Sequence, residues 1–412
     1  MINVLLYKLA IGAYALGIRV AALFKPKARL FIDGRIGLLD KIKSQLSKEQ
    51  KPRIWVHCAS LGEFEQGRPV IEALKEKYPQ YAIVLTFFSP SGYEVRKDYN
   101  GADHIFYLPV DNHHNAEAFL DIVKPQLCLF IKYELWYFYL SGIAKRNIPS
   151  LLVSAIFNNN QGFFKWYGGL QRKMLDSFTH LFVQDQNSID LLSGIGITTA
   201  TVSGDTRFDR VVKAAQQTVE LPIAKEFCAQ HKVLIAGSSW GDDERLLYNT
   251  LSILPADWRI ILVPHEVHSA HIAEIEKLYG KEVIKWSTWE QGNDKKVLLV
   301  DKVGFLLQLY RYGTVAFIGG GYGKAGVHNV LEAAVYGLPC FYGPVFHQFI
   351  EAIELVSEGG AQVINKPEEL AAALKSFESD AVYNKVSSTA KHYVLSKQGA
   401  TDKVMARIGE YL

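Results

Sequence analysis

Residues 314–344 read TVAFIGGGYGKAGVHNVLEAAVYGLPCFYGP, and their order decides the fold class. An apolar run ends at Ile318, a glycine-rich turn follows, a helix is predicted to open near Val327–Asn329, and a second apolar run begins at Leu338. Strand, turn, helix and strand within about 30 residues is the unit of a parallel sheet whose crossovers pack on its faces. Glycines let backbone approach an anion, and the free N–H groups with the helix dipole attract phosphate. Gly321, Gly323 and Gly326 match G-x-G-x-x-G, but Phe341 and Tyr342 stand where a ribose-binding acid would end the next strand. A P-loop fails because Ala325, not Ser or Thr, follows Lys324. Glu332, one helical turn beyond His328 and Asn329, either accepts hydrogen bonds from ribose hydroxyls or is a solvated helix acid.

The same pattern extends in both directions. KVLIAGSS (232–239), RIILVPH (259–265), KVLLVD (296–301), TVAFIGGG (314–321) and LPCFYG (338–343) form one series of short apolar runs. RIWVHCAS (53–60), AIVLTFF (82–88), QLCLFIK (126–132), SLLVSA (150–155) and HLFVQD (180–185) form another. Continuous Val/Ile/Leu runs separated by helix-length segments predict parallel sheets covered on both faces. The polar stretch 206–230 divides the two series, and the chain's 412 residues exceed a single ordinary core. The expected class is therefore α/β, with two doubly wound, Rossmann-like domains facing a central cleft in which ligand binds at the strands' C-terminal ends. The expected organisation is an N-terminal anchor helix (1–24), an α/β domain (25–205), a second α/β domain (206–385) and a C-terminal helical tail (386–412) that packs back on a domain.

Composition narrows the class. Hydrophobic residues are 49% and charged residues 21%, which excludes wholesale disorder. Cys58, Cys128, Cys228 and Cys340 lie far apart without a CxxC pair, a pattern suited to a reducing compartment. The net charge of +3 hides an asymmetry: residues 1–60 carry eleven Lys/Arg against three acids, and the remainder is acidic. That concentration suits an anionic surface better than a nucleic-acid groove, so no nucleic-acid partner is expected. Residues 1–24, MINVLLYKLAIGAYALGIRVAALF, are apolar except for Lys8 and Arg19. As a helix they reach about 36 Å, enough for a ~30 Å hydrocarbon core. The two cations fall about 20° apart on one face, each able to snorkel toward an interface, and a spanning anchor and an in-plane amphipathic helix both remain open. Lys25, Lys27, Arg29 and Arg35 follow at once and favour the cytoplasmic side.

Three further groups carry candidate chemistry. In HCASLGEFEQGRP, Glu63 follows a strand and sits at the first turn of a helix, as a general base or as a favourable N-terminal charge. In SGDTRFDR, Arg207 either neutralises a leaving phosphate or makes a surface salt bridge. His265, His268 and His271 invite a metal reading, but the spacing is not HExxH and no third-ligand signature accompanies it.

Taken together, the N-terminal anchor, HCASLGE, TFFSPSGYE, YELW, SGDTRFD, AGSSWGDDE and the GG…GxHNxxEAA…P…GP series resemble the Kdo transferases of lipopolysaccharide synthesis over nearly the whole chain. The resemblance implies a membrane-associated, inverting glycosyltransferase of GT-B architecture. It would move 3-deoxy-D-manno-octulosonic acid (Kdo) from CMP-Kdo to the 6-hydroxyl of a glucosamine in a lipid A precursor, at the cytoplasmic face of the inner membrane. It implies Glu63 as general base, and Arg207 at the position that stabilises transition-state charge. It also implies CMP-Kdo contacts from Pro264 and His265, from Val303, Gly304 and Phe305, and from Gly319, Gly320, Gly326, His328, Asn329, Val330, Leu331 and Glu332. No metal and no cofactor are expected; the nucleotide sugar is a substrate. Lys132 stands where the family carries a carboxylate for transition-state support, His265 replaces an arginine region, and Phe305 stands where the family often has Glu.

Overall fold

The computed structural model describes residues 2–412; Met1, the first residue of the expected anchor, lies outside the described residues. The chain divides into two compact units, one reaching to Arg210 and including Gln398–Leu412, the other Val211–Lys397.

The first unit is built on a seven-stranded parallel sheet: β1 (Arg53–Cys58), β2 (Ala82–Phe87), β3 (His104–Tyr107), β4 (Pro125–Ile131), β5 (Ser150–Ala155), β6 (His180–Val183) and β7 (Ala200–Val202). Their order is β3-β2-β1-β4-β5-β6-β7, so the winding reverses between β1 and β4. All six residues of β2 and of β5 are buried, as continuous apolar runs require when helices cover both faces. On one face Trp55 packs against Phe119, Phe130 and Tyr139 at 4.8, 5.1 and 5.5 Å between ring centres. On the other, Ile54, Val56, Leu85 and Leu129 meet Val70, Ile71 and Leu74 of the Leu61–Lys77 helix. Each such side chain contributes roughly 1.5–3 kcal/mol by leaving water.

The C-terminal helix Ala400–Ile408 adds Val404, Met405 and Ile408 to this second cluster. Its start is held by Asp209, whose carboxylate accepts the Gly399 N–H at 2.5 Å and the Thr401 N–H and hydroxyl at 2.6 and 2.7 Å. The N-terminal helix Ile2–Ala21 rests on the same unit through Tyr7, whose hydroxyl donates to buried Asp111 at 2.6 Å. The stretch Asn3–Ala21 is, among the described residues, the one helix long and apolar enough to cross a membrane.

The second unit repeats the design with β8 (Lys232–Ser239), β9 (Trp258–Pro264), β10 (Val283–Lys285), β11 (Val297–Leu299), β12 (Val315–Ile318), β13 (Cys340–Tyr342) and β14 (Ala361–Val363). The order β10-β11-β9-β8-β12-β13-β14 is again parallel throughout and reverses between β8 and β12. Open sheets of this kind bind ligand beyond the carboxyl ends of the two strands flanking the reversal. In the two units those ends belong to β1 with β4 and β8 with β12.

One local expectation needs correction. The helix expected to open near Val327–Asn329 begins at Leu331 and lasts only to Ala334. Gly320 and Gly326 take left-handed φ of 89° and 80°, and the Val327 N–H pairs with Val345 O at 2.9 Å, so the backbone spends residues 320–330 in a folded loop.

Candidate active site

In the first unit the turn after β1 delivers Glu63 to the first turn of the Leu61–Lys77 helix, where partial positive charge favours a carboxylate. The Ser60 hydroxyl donates to Glu63 Oε2 at 2.6 Å. The side chain is half-exposed, and Oε1 has no hydrogen-bond partner among the described residues, so one oxygen is fixed while the other remains an acceptor.

Beside it, β4 ends at Ile131 and Lys132 turns the chain with a φ of 62°, its N–H held by Val153 O at 2.9 Å. A branched or long side chain in this region is uncommon and marks a constrained turn. Lys132 is half-buried, and its ammonium has no hydrogen-bond or ion-pair partner among the described residues. Two residues on, Glu134 accepts the Trp136 indole N–H at 2.9 Å and lies 3.5 Å from Nε2 of fully buried His57. His57 Nδ1 sits 2.8 Å from the Thr86 hydroxyl, which also takes the Trp55 N–H at 2.8 Å. Trp55, Thr86, His57 and Glu134 thus form a polar line through the sheet that ends at the loop after β4.

Arg207, from the helix Thr206–Gln216, reaches the same region through Asp205. Its Nε and Nη2 lie 2.9 and 2.7 Å from Asp205 Oδ2, and that oxygen also accepts Gln66 Nε2 at 3.2 Å. Gln66 is one turn beyond Glu63 on its helix, and the Thr206 hydroxyl donates to Gln66 O at 2.5 Å. Residues 140 positions apart are thereby locked to one helix, with the guanidinium a quarter exposed.

In the second unit the ends of β8, β9 and β12 converge. Trp240, His265 and His328 stack in sequence, with ring centres 4.8 and 4.5 Å apart and planes within 29°. The Trp240 indole N–H donates to His328 Nε2 at 2.9 Å. Burial and the neighbouring His265 push the His328 imidazole down to about 4, so it is neutral near pH 7, with Nε2 as acceptor and the proton on Nδ1. Asp243 Oδ2 accepts the N–H groups of Gly320 and Trp240 at 2.9 and 2.8 Å and so pins the glycine loop to β8. Burial raises that carboxyl to about 6 against the pull of the two donors. Gly319 passes so close to the backbone of Ser238 and Ser239 that a Cβ has no room, and at Gly326 one would meet Phe349 at 2.8 Å. Asn329 donates to Glu332 Oε1 at 3.1 Å while its own oxygen accepts Leu331 N–H, which orders the segment Asn329–Glu332.

The structure therefore gathers Pro264, His265, Gly319, Gly320, Gly326, His328, Asn329 and Glu332 at one end of one sheet, with Val330 and Leu331 buried beneath. Val303, Gly304 and Phe305 lie in the loop after β11; Val303 is exposed and Phe305 stacks on Trp286 at 5.7 Å. His268 and His271 turn to other tasks: His268 pairs with Glu266, and His271 with buried Glu244 at 3.0 Å. Among the described residues no three His, Cys, Asp or Glu side chains converge as a ligand set. Four residues without an assigned role in the sequence brace the candidate residues of their own unit: His57 and Glu134 in the first, Trp240 and Asp243 in the second. Their signal was the motifs HCAS, YELW and SSWGDD, in which they stand.

Comparisons with known proteins bear on the family and the fold. Residues 32–210 match the family model described as 3-deoxy-D-manno-octulosonic-acid transferase (kdotransferase). The chain is 29% identical over 319 residues to the 3-deoxy-D-manno-octulosonic acid transferase of Aquifex aeolicus, covering 76% of this chain and 82% of that one. It is 25% identical over 373 residues to the enzyme of the same description from Haemophilus influenzae, with 87% of each covered. Among solved structures, UDP-GlcNAc 2-epimerase from Neisseria meningitidis superposes with a TM-score of 0.62 at 15% identity, over 87% of this chain and all of that one. MurG from Acinetobacter baumannii superposes with a TM-score of 0.57 at 14% identity, over 87% and 99%. These structural likenesses bear on the fold alone. With a family model over residues 32–210 and relatives of 25–29% identity aligned over most of its length, the chain is similar to the Kdo transferases and has a GT-B-like fold.

Proposed function

We propose that the protein transfers Kdo from CMP-Kdo, with inversion, to the 6-hydroxyl of a glucosamine in a lipid A precursor, at the cytoplasmic face of the inner membrane. The observation that carries this reading is Glu63: a carboxylate at the reversal point of a parallel sheet, one oxygen held by Ser60 and the other open to solvent. Glu63 takes the proton of the attacking hydroxyl. The oxygen then bonds to the anomeric carbon as the bond to the CMP phosphate breaks, and the electron pair leaves on that phosphate. Attack opposite to departure inverts the centre. A phosphate leaving group needs neutralisation more than protonation, a role suited to Arg207, whose geometry Asp205 fixes, and to Lys132. This chemistry draws on the chain's own cations and needs no metal or cofactor.

CMP-Kdo is seated by the second unit. In this reading Asn329 and Glu332 meet ribose hydroxyls, and Pro264, His265 and the Val303–Phe305 loop complete the seat beside the folded glycine loop. The lipid acceptor accounts for the apolar helix and the basic segment after it.

Replacing Glu63 by Gln keeps the side chain's size and removes its basicity. The expected result is a loss of at least ~10²-fold in turnover, with CMP-Kdo binding retained. Unchanged turnover would remove Glu63 from the mechanism, and turnover of UDP-sugars with none of CMP-Kdo would replace the donor.

A further inference from the structure

The N-terminal helix is docked along its length rather than tethered at one end. Val4, Tyr7, Ile11, Ala15, Ile18 and Ala21 turn toward the first unit and are half-buried, while Leu5, Leu6, Leu9, Leu16 and Val20 face outward and are more than half exposed. Two clamps seven residues apart fix the inward face. Tyr7 donates to Asp111, which also accepts the Phe138 and Tyr139 N–H groups, and its ring meets Tyr137 and Phe138 at 5.8 and 6.1 Å. Tyr14 stacks on Phe88 at 6.1 Å and meets Phe31 at 6.3 Å. Phe88, Asp111 and Trp136–Phe138 follow β2, β3 and β4, so the helix runs along the C-terminal edge of the sheet, the edge that carries Glu63. A helix held this way cannot stand across a bilayer without breaking both clamps or drawing Asp111 and the loop backbones into hydrocarbon, which costs several kcal/mol per unsatisfied group.

The same edge carries a second apolar feature. The loop after β5 exposes Trp166 almost completely (93%), with Tyr167 more than half exposed and Lys165 beside them. It is braced, not loose: Phe163 and Phe164 pack on Phe157 at 5.6 and 5.9 Å, and Arg172 donates to Phe163 O and Lys165 O. Phe157 meets Tyr133 at 6.0 Å, and Trp136 of the same loop packs on Phe88, the ring on which Tyr14 of the N-terminal helix stacks. An exposed Trp–Tyr pair flanked by lysine suits the boundary of a bilayer, where an amphipathic ring keeps its N–H or hydroxyl in the headgroups. Lys8, Arg19, Lys25, Lys27 and Arg29 on the helix and just beyond it have no acidic partner among the described residues, so their charge is left for an anionic surface.

We propose that the first unit sits on an anionic phospholipid leaflet along this edge, with the N-terminal helix lying in the plane of the interface and the Trp166 loop as a second, separate point of insertion. The proposal rests on the reading that the acceptor is a membrane lipid, and it would present the glucosamine hydroxyl to Glu63 without lifting the lipid from its leaflet.

Two measurements on the full-length protein test it, both with sealed phosphatidylethanolamine–phosphatidylglycerol vesicles. A protease-cleavable epitope placed before Met1 is expected to be cut from outside the vesicles carrying the protein; protection until detergent is added would mean that the helix crosses and would overturn the proposal. With brominated lipids, Trp166→Phe is expected to remove part of the quenchable tryptophan signal and to weaken vesicle binding several-fold. Quenching and binding equal to the wild type would place the loop in water and overturn the second contact, as would self-association in the absence of vesicles that shields Trp166. Kdo transfer is read separately: its absence alongside both expected membrane results would count against the proposed reaction and not against this orientation.

Discussion

Asp243 shows how one residue can be held against its own chemistry. It is buried, one of its oxygens has no hydrogen-bond partner, and the other ties the glycine loop to β8 through the Gly320 and Trp240 N–H groups. Its carboxyl is raised from an ordinary value near 4 to about 6, so the folded state favours the protonated form. The stability it contributes is fully present below pH 4 and is lost as the pH rises through 6. The variant Asp243→Asn keeps an oxygen acceptor for the loop and removes this charge. Denaturation of both proteins across pH 4–8 is expected to show the variant gaining, relative to wild type, on the order of 2–3 kcal/mol as the pH rises through that window. A constant difference would show that the carboxyl does not titrate there. His271 lies on the same unit with the opposite chemistry: Glu266 O and the Glu244 carboxylate hold its imidazole above the usual value despite burial. At this scale the sequence motifs pointed to Glu63, Arg207 and the glycine loop because each stands in a short contiguous pattern. The pairings Asp243–Gly320 and His57–Glu134 join residues 77 positions apart, and no local pattern announces such a contact.

The strands are legible in the sequence in proportion to how fully they are buried. Strands of six to eight residues such as β1, β2, β5 and β8 show their apolar runs plainly. Four strands of three or four residues, β3, β7, β10 and β14, form the sheet edges and leave no such run in the sequence. Neighbouring strands define them, through pairings such as Val84 with His104 and Cys340 with Ala361, and their largely half-exposed residues form no continuous apolar run, unlike the equally short but buried β11 and β13. The late start of the Leu331–Ala334 helix has the same origin, since the loop before it is fixed by tertiary hydrogen bonds. The C-terminal helix gives this scale its own test. Asp209 satisfies two backbone N–H groups at its start, where an N-cap side chain would otherwise serve, and Gly399 offers none. Asp209→Ala is expected to cost about 1–3 kcal/mol and to make the segment after Gln398 the first site of limited proteolysis. Cleavage at wild-type rates would mean that packing of Val404, Met405 and Ile408 alone holds the helix.

Charge sets the behaviour of the molecule as a whole. A net charge of +3 arises from a basic first sixty residues joined to an acidic remainder, so attraction to an anionic surface is confined to one end of the chain. Reversing Lys25, Lys27 and Arg29 to Glu is expected to weaken association with anionic vesicles, more strongly at low ionic strength than at high, because exposed charges are screened over ~10 Å at 0.1 M salt. Co-sedimentation checks this, and equal binding at all salt concentrations would assign the association to apolar contact alone. The proposed transfer of Kdo from its cytidylate donor to a lipid A precursor with Glu63 as base is tested most directly by mass spectrometry of that precursor after incubation with CMP-Kdo and the protein. Acceptor carrying one or more Kdo residues is expected with the wild type and essentially none with Glu63→Gln; an unmodified acceptor with both proteins, or equal product from both, would contradict this chemistry.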